Sequence, residues 1–193
     1  MLQHAGKLQG SKMIELLKRL SETNGQSGNE KEVREIIRSE IKPYVDELYI
    51  DKFGNLIARH KGKGPTIMLA AHMDEIGIMI KSIDTDGKLY VSPIGGLEPM
   101  TMLGEQVHVM TKDGKEIEGI ITTRDLQEGA ELSKLPTIEE IYIDVGMSSA
   151  ENVGKTGIRI GSYVNIVKNF VPLGDGKGSL ITGKALDDRI GCY

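Results

Sequence analysis

The stretch Met68-Leu69-Ala70-Ala71-His72-Met73-Asp74-Glu75-Ile76-Gly77 joins an apolar run to a group of polar side chains. The run extends from Thr66 to Ala71, and an unbroken apolar segment of this length is typical of a strand that is buried on both faces. In open α/β sheets, ligands bind just beyond the carboxyl ends of the strands. We therefore predict a buried strand that ends at His72, with a binding site directly after it.

His72 and Asp74 have the spacing of a metal ligand and its supporting carboxylate. Residues two apart in a strand point to the same side, and a metal-binding imidazole usually donates its second ring N–H to a carboxylate. His72 is therefore a candidate ligand and Asp74 is its candidate orienting partner. The alternative is a surface or capping pair without a metal, because a lone His-x-Asp sequence is common.

A second segment, near the end of the sequence, has the same character. A mostly apolar stretch from Ser179 to Leu186 leads into Asp187, Asp188 and Arg189. An aspartate can bridge two metal ions through its two oxygens, and two-metal hydrolases hold their ions roughly 3.5–4 Å apart. This second group of carboxylates favours the metal hypothesis over the surface-pair alternative.

The composition narrows the class of protein. The 193 residues include 24 Lys and Arg and 28 Asp and Glu, for a formal net charge of −4, which leaves no basic excess for a nucleic-acid partner. Cys192 is the single cysteine, which excludes an internal disulfide and suits a reducing cytoplasm. No apolar stretch approaches the length of a membrane span. Met1–Lys12 lacks the apolar core of a signal peptide and is predicted to be a loose leader.

Two amphipathic helices are predicted in the first part of the chain. Apolar residues recur at helical spacing from Met13 to Leu20, and Ser11 is the expected N-cap. A second helix should begin at Asn29, because Glu32 lies three residues later in the pattern of a capping box. Pro43 should end this second helix.

Short strand-like runs dominate the chain after Pro43. Val45–Ile50 and Asn55–His60 predict an antiparallel hairpin. Six further runs predict a small β-barrel or sandwich. These runs are Ile76–Ile83, Lys88–Val91, Glu105–Met110, Glu116–Thr122, Ile141–Val145 and Tyr163–Val167. A capping box at Ser148–Glu151 predicts one short helix among them. Asp84–Gly87 is predicted to be a hairpin turn with Asp-Gly at its tip, and Arg124–Pro136 is predicted to be an irregular loop. We expect an α/β frame over residues 1–73 and 169–193, with a β-rich domain inserted over residues 74–168.

Four motifs follow one another in an order that identifies a family. They are Ala71-His72-Met73-Asp74-Glu75-Ile76-Gly77, Pro93-Ile94-Gly95-Gly96, Asp144-Val145-Gly146 and Lys184-Ala185-Leu186-Asp187-Asp188-Arg189-Ile190-Gly191. Because it carries these motifs in this order, the chain resembles the glutamyl aminopeptidase family. Members of that family include tetrahedral archaeal aminopeptidases and proteins labelled endoglucanase or cellulase. The resemblance implies peptide substrates and part of a zinc-exopeptidase-like α/β frame with an inserted PDZ-like β-barrel.

The same resemblance implies a role for each candidate residue. The family uses two divalent metal ions, with zinc as the first expectation and cobalt as the second. His72 would ligate one ion, Asp187 would bridge both, and Asp74 would be the catalytic residue that supports His72. The Asp187–Asp188 bond would be cis, as it often is in relatives. The inserted domain would form dimers, which in relatives of this kind build a twelve-subunit shell.

The remaining site residues of the family lie after the bridging aspartate. They are a Glu-Glu pair, another Asp and a distal His, and the sequence stops at Tyr193 before any of them can be assigned. We therefore expect this chain to be a piece of a longer protein, or a second chain to supply the other half of the site. The frame segments also offer too few elements to cover a strand on both faces and both edges, so we expect exposed apolar surface around Thr66–Ala71.

Three functions are open at this point: a metalloaminopeptidase subunit, a catalytically inactive oligomerisation fragment, and a glycoside hydrolase. Glycoside hydrolysis uses two carboxyl groups roughly 5–9.5 Å apart and needs no metal, which leaves His72 without a role. Aromatic residues, which form platforms for sugars, make up only 4% of the chain. We therefore favour a cytoplasmic, self-associating metalloaminopeptidase with no membrane or nucleic-acid partner, and we expect the 193 residues alone to be inactive.

Overall fold

The computed structural model describes residues 2–129, 134–174 and 180–193, with side chains from residue 12 onward. Its helices are α1 (Leu2–Glu22), α2 (Lys31–Ile41), α3 (Pro99–Met102), α4 (Arg124–Gln127), α5 (Ala150–Lys155) and α6 (Leu186–Arg189), with 3₁₀ turns at Lys42–Tyr44 and Ile138–Glu140. Its strands are β1 (Glu47–Ile50), β2 (Leu56–Arg59), β3 (Gly77–Ile83), β4 (Leu89–Ile94), β5 (Gln106–Met110), β6 (Glu116–Thr123), β7 (Ile141–Asp144), β8 (Tyr163–Ile166), β9 (Val171–Pro172) and β10 (Ile181–Thr182). None of these helices is long and apolar enough to cross a membrane.

The chain divides into two compact units. One unit, the frame unit, consists of Met1–Glu75 and Lys168–Tyr193, and the other, the barrel unit, consists of Ile76–Val167. All six strands of the barrel unit close into a barrel in the order β3-β4-β7-β6-β5-β8. The prediction of six short strands that form a small barrel is therefore confirmed.

Alternation along the strands builds the core of the barrel. In β5, Val107 and Val109 are buried while Gln106 and His108 face outward or lie half-buried, as the two-residue period of a strand requires. The same core contains Met102 of α3, Val153 of α5 and the buried branched residues Ile78, Ile80, Leu89, Val91, Ile121, Ile141, Ile143, Ile158 and Val164. Each strand therefore buries its apolar face against the other strands of the same unit.

The turn between β3 and β4 shows how local chemistry fixes the register of the barrel. The Asp84 carboxylate accepts hydrogen bonds from the backbone N–H groups of Asp86 and Lys88, at 3.0 and 2.8 Å. Gly87 has a φ of 83°, and a Cβ placed there would come within 2.6 Å of the Met147 carbonyl oxygen. The predicted Asp-Gly turn is thus confirmed, and its glycine is required by both conformation and space.

Two predictions for the barrel unit need correction. Arg124–Pro136 is not irregular throughout, because it begins with helix α4. At the start of α4, the Leu126 N–H donates to the Thr123 side chain at 3.3 Å. Residues 130–133 of this stretch lie outside the described residues. The cap of α5 is Ser149 rather than Ser148, since the Ser149 hydroxyl accepts from the Asn152 N–H at 3.2 Å.

The helices of the frame unit also begin elsewhere than predicted. Helix α1 starts at Leu2, so Ser11 is not its N-cap. The expected loose leader is helical instead, because it is rich in Leu, Ala, Lys and Gln, which are good helix formers. Helix α2 starts at Lys31 after Glu30, and the expected capping box at Asn29 is not formed, because the Asn29 N–H that Glu32 would accept from donates to the Gln26 carbonyl at 2.8 Å. The predicted end of α2 near Pro43 is confirmed, because Pro43 lies in the 3₁₀ turn that follows Ile41.

The predicted hairpin of the frame unit is confirmed. Strands β1 and β2 pair in antiparallel fashion, with Ile50 opposite Leu56. The Asp51 carboxylate closes the turn by accepting from the N–H groups of Phe53 and Asn55, each at 2.9 Å. A single aspartate therefore organises this connection as Asp84 organises the one in the barrel.

The prediction of a buried strand at Thr66–Ala71 is wrong. The structure shows no strand over these residues, and Ile67, Met68 and Leu69 are 81%, 85% and 92% exposed. A doubly buried strand needs neighbours on both edges and cover on both faces, and the described residues of the frame unit do not provide them at this segment. The expectation of exposed apolar surface here is confirmed.

Candidate metal centre

His72 and Asp74 lie side by side although the segment that carries them is not a strand. His72 Nδ1 is 3.0 Å from Asp74 Oδ1. The Ser27 hydroxyl donates to the other carboxylate oxygen of Asp74. Asp74 is therefore held from both sides, and it orients the His72 ring in the way that a supporting carboxylate orients a metal-binding imidazole.

Asp187 approaches His72 from the far end of the sequence. It lies at the kinked start of α6, where its own backbone is not helical, after the short strand β10, which pairs with β9. The Asp187–Asp188 peptide bond is cis, as the family resemblance implied. The Asp187 side chain is 96% exposed, and its Oδ1 lies 3.3 Å from His72 Nε2. The structure therefore brings together both of the ligand residues predicted from the sequence, with Asp74 on the opposite side of the ring.

The hydrogen bond at Nδ1 makes this arrangement suitable for a cation. In a neutral His72 that donates its Nδ1–H to Asp74, Nε2 presents a lone pair to the Asp187 carboxylate. Two acceptors that face each other repel unless a proton or a metal ion lies between them. Two ligands of a tetrahedral zinc ion with bonds of roughly 2.0–2.1 Å lie about 3.3–3.4 Å apart. The observed separation of 3.3 Å therefore fits a shared metal ion.

The charges around His72 also favour a cation on the ring. Partial burial lowers the pKa of His72, but the charge and hydrogen bonds of Asp74, together with the charge of Asp187, raise that pKa by more. The pKa of His72 consequently lies above its ordinary value. The field of the two carboxylates that favours a proton on the His72 ring would also favour a divalent ion at Nε2.

The donor set found in the structure is incomplete for a closed site. Among the residues that the structure describes, no group of three or more His, Cys, Asp and Glu side chains could hold a metal ion. Tetrahedral zinc takes four ligands, of which catalytic sites draw three from protein. His72 and Asp187 therefore fit as part of a metal site and cannot complete one.

Four residues to which the sequence analysis gave no role surround the candidate ligands. Ser27 anchors Asp74, and the buried side chains of Glu75, Lys184 and Arg189 form an ion cluster beside it. The Glu75 Oε1 atom lies 2.9 Å from Lys184 Nζ and 3.5 Å from Arg189 Nη2. Glu75, Lys184 and Arg189 had a signal in the sequence, because they stand in the motifs that carry Asp74 and Asp187, whereas Ser27 lies far from both aspartates in sequence.

Cys192 lies behind His72. Its thiol donates to the His72 carbonyl oxygen at 3.5 Å. Burial, reinforced by the charge of Asp188, raises the pKa of the Cys192 thiol. A raised pKa keeps the group protonated, which supports a packing role rather than that of a nucleophile or a thiolate ligand.

Known proteins with similar sequences and structures include several aminopeptidases. The lysyl aminopeptidase of Pyrococcus furiosus is 37% identical over 182 residues, which are 93% of this chain and 52% of the relative. The solved structure of aminopeptidase APDkam598 from Desulfurococcus kamchatkensis matches with a TM-score of 0.84 and 40% identity, over 94% of this chain and 49% of that one.

Two further solved structures extend the comparison. The Pyrococcus horikoshii TET1 peptidase, described as able to assemble into a tetrahedron or a large octahedral shell, matches with a TM-score of 0.81 and 31% identity, over 93% of this chain and 53% of that one. A Thermotoga maritima protein named endoglucanase matches with a TM-score of 0.75 and 38% identity, over 91% of this chain and 51% of that one.

The chain spans about half the length of the curated relatives that it matches. A family model described as M42 glutamyl aminopeptidase matches residues 54–193, and a smaller model named AMPT matches residues 11–37. The larger model covers most of the chain, including all three candidate site residues. The chain therefore belongs to the M42 glutamyl aminopeptidase family.

Proposed function

We propose that this chain carries part of the metal centre of an aminopeptidase that removes N-terminal residues from peptides with the aid of two divalent metal ions. The observation that carries the proposal is the position of His72 Nε2, 3.3 Å from Asp187 Oδ1, while Nδ1 is occupied by Asp74. Membership of an aminopeptidase family supports the reaction class.

Each candidate residue has a distinct role in this proposal. His72 is a ligand through Nε2, and Asp74 fixes the ring and increases the basicity of that nitrogen. Asp187 is the bridging ligand, because its highly exposed carboxylate faces His72 with one oxygen and has a second oxygen for another ion. Zinc is the first choice and cobalt the second; when bound, such an ion polarises the scissile carbonyl and lowers the pKa of bound water.

The remaining ligands and the general base are proposed to come from protein outside the 193 residues. His72 and Asp187 supply two donors, fewer than a catalytic zinc ion takes from protein. The matched relatives are about twice as long as the matched part of this chain, which leaves room for the missing groups. In this proposal the 193 residues alone bind zinc weakly and do not turn over substrate.

We propose that the barrel unit is a PDZ-like dimerisation domain. Dimers formed through it would be the building units of a larger shell. A solved relative is described as assembling into a tetrahedron or an octahedral shell. Two-fold dimers are the commonest closed assemblies, and in them the same patch serves both subunits. The barrel presents its polar strand faces outward and does not depend on the frame unit for its own core.

Glycoside hydrolysis fits the geometry less well, despite the relative named endoglucanase. The carboxylates of Asp74 and Asp187 each contact a ring nitrogen of His72, at 3.0 and 3.3 Å. Carboxyl groups that flank a glycosidic bond must instead be free to reach the sugar, with a gap of roughly 5–9.5 Å between them. The imidazole between the two carboxylates therefore favours the aminopeptidase.

A zinc titration of three chains tests the proposal. The wild-type chain, His72→Ala and His60→Ala are titrated in competition with a chromophoric chelator. His60 is a matched control because its Nδ1 also pairs with an aspartate, Asp46, at 3.4 Å, on the surface of the same unit. We expect His72→Ala to lose the zinc that wild type and His60→Ala bind, and equal zinc binding by all three chains would overturn the ligand assignment.

Activity assays complete the test. In the full-length protein, His72→Ala should abolish release of an aminoacyl-nitroanilide and His60→Ala should preserve it, because only the first removes a metal ligand. The 193-residue wild-type chain should release no more product than its own His72→Ala variant. Hydrolysis of a soluble cellulose derivative by the full-length protein, without peptidase activity, would instead establish the glycoside hydrolase.

A further inference from the structure

A buried cluster of three charged side chains joins the two segments that carry the candidate ligands. Glu75 directly follows Asp74, whereas Lys184 and Arg189 flank Asp187 in sequence. The side chains of Glu75, Lys184 and Arg189 are only 7%, 10% and 0% exposed. Removing charges from water is costly, and a buried ion pair is weak evidence of a gain in stability. The burial of these charges is therefore not explained by a gain in stability alone.

Arg189 is the centre of this cluster. Five acceptors lie within 3.5 Å of its three nitrogens: Met73 O at 2.9 Å from Nε, Leu20 O and Thr23 O at 2.6 and 2.5 Å from Nη1, and Gly25 O and Glu75 Oε1 at 3.4 and 3.5 Å from Nη2. The Leu20 and Thr23 carbonyls lie at the C-terminal end of α1, where carbonyl groups lack helical partners and the helix dipole favours a cation. The guanidinium is thus fixed in position by its planar set of donors.

Glu75 and Lys184 fasten the same segments a second time. The Glu75 backbone N–H donates to Gly25 O at 2.9 Å, and its carboxylate accepts from Gly25 N–H at 3.0 Å and from Lys184 Nζ at 2.9 Å. Lys184 Nζ also donates to Asn24 Oδ1 at 2.7 Å, and the Lys184 carbonyl accepts from the Ser21 hydroxyl at 2.7 Å. The chain before Asp187 and the chain after Asp74 are therefore tied to the same turn behind α1.

The bond from Arg189 to Met73 connects this cluster to the candidate ligands. Met73 lies between His72 and Asp74, and Arg189 lies two residues after Asp187. Neither His72 nor Asp74 lies in a helix or strand that could fix its position. The 3.3 Å separation between His72 Nε2 and Asp187 Oδ1 thus depends on contacts between irregular segments, and Arg189 spans them directly.

We propose that Arg189 and Glu75 are positioning residues of the metal centre, which set the separation of His72 from Asp187 and thereby the affinity for the metal ion. The inference rests on the proposed function in that it takes His72 and Asp187 as the ligands. Neither positioning residue contacts the metal. Partners that orient metal ligands typically contribute roughly 10–100-fold to metal affinity.

The test compares zinc affinity with folding in conservative variants of the 193-residue chain. Arg189→Lys keeps the charge but loses the planar fork, and Glu75→Gln keeps the size but loses the charge. Arg34→Lys is the control, because Arg34 Nη2 makes a similar part-buried contact with Glu30 at 3.5 Å, elsewhere in the same unit. Zinc affinity is measured by chelator competition, folding by thermal unfolding, and the His72 ring by nitrogen-15 chemical shifts.

We expect Arg189→Lys and Glu75→Gln to weaken zinc binding by roughly tenfold or more at temperatures at which they remain folded. In both variants the His72 ring nitrogens should shift from those of wild type, while Arg34→Lys matches wild type in both measurements. Folded variants with wild-type zinc affinity would overturn the inference. If neither variant unfolds cooperatively, the cluster is a requirement of the fold and the inference is also overturned.

The His72→Ala chain separates this inference from the proposed function. If His72→Ala binds zinc as wild type does, the ligand assignment fails and the positioning role fails with it. If His72→Ala loses zinc but the two folded cluster variants retain it at wild-type affinity, only the positioning role fails.

Discussion

The two units of the molecule distribute apolar and charged side chains in opposite ways. In the barrel unit, the apolar side chains of every strand contribute to one closed core and the charged side chains lie outside. In the frame unit, Leu69 and its apolar neighbours are exposed while Arg189 is completely buried. The barrel unit is one continuous segment whose strands pack against one another. The frame unit combines two separate segments and leaves the apolar run around Leu69 exposed. The barrel unit therefore covers its own apolar side chains, whereas the frame unit leaves some of its apolar side chains exposed.

The largest expected effect comes from separating the units. Residues 74–168 expressed alone should fold, because the barrel core draws on residues of the barrel unit only. We also expect this fragment to self-associate, since the barrel is the proposed dimerisation surface. Light scattering measures its mass and circular dichroism its unfolding; a clean monomer at high concentration would place the dimer contact elsewhere, and an unfolded fragment would contradict the independence of the barrel.

A matched pair of leucines tests the comparison within the whole chain. Leu89 is buried in the barrel core and Leu69 is exposed in the frame unit. Leu89→Ala should lower the free energy of unfolding by about 2–5 kcal/mol, because it removes buried apolar contacts and leaves a cavity. Leu69→Ala should change that free energy by less than about 0.5 kcal/mol.

Urea denaturation followed by circular dichroism measures both leucine variants. A large loss of stability from Leu69→Ala would show that the apolar run is covered in the folded chain, which contradicts its observed exposure. A negligible loss from Leu89→Ala would contradict the closed core of the barrel.

The smallest expected effect concerns two Lys–Glu pairs of similar length and opposite burial. Lys134 Nζ lies 2.7 Å from Glu140 on the exposed surface of the barrel unit, and Lys184 Nζ lies 2.9 Å from the buried Glu75. The hydrogen bond from Lys134, followed by that from the Thr137 N–H, lowers the pKa of Glu140 to about 2. Lys134→Ala should therefore raise the pKa of Glu140 towards its ordinary value of 4.5, with little change in stability because the pair is exposed.

The sign of the pH dependence follows from this lowered pKa. Because the folded state holds the Glu140 proton less tightly than the unfolded state, the pair stabilises the fold above pH 4.5, and the contribution is lost as the pH falls through about 2. Carbon-13 NMR titration of the Glu140 carboxyl group measures both chains. An unchanged pKa in Lys134→Ala would show that Thr137 alone stabilises the carboxylate.

Sequence patterns predicted the parts of the fold whose partners are close along the chain. The alternation of Val107 and Val109 and the Asp-Gly turn at Gly87 describe strands that pair with nearby strands. The apolar pattern at Thr66–Ala71 is typical of a strand with neighbours on both edges and cover on both faces. The described residues do not provide these neighbours, so the predicted strand was wrong. The start of α2 was missed because the Asn29 N–H, which a capping box would offer to Glu32, donates to the Gln26 carbonyl instead.

The contacts of the candidate site also differ in how far they could be predicted, according to the distance between the residues along the chain. The contact between His72 and Asp74 was predictable because the two residues are close along the chain. The contact between His72 and Asp187 rested on the family resemblance, since no local pattern relates segments so distant in sequence. The role of Arg189 could not be predicted, because arginine is rarely buried completely and only the folded chain shows the carbonyl groups that satisfy it.

Anomalous diffraction at the zinc edge, from crystals of the 193-residue chain soaked in zinc, tests the metal centre most directly. His108 provides an internal comparison in the barrel unit, because its Nδ1 lies 3.1 Å from Glu116 in a second histidine–carboxylate pair. The account predicts an anomalous peak within bonding distance of His72 Nε2 and the Asp187 carboxylate, with His72 Nδ1 still bonded to Asp74. A peak at His108 or His60 with none at His72 would contradict the assignment of His72 and Asp187 as ligands.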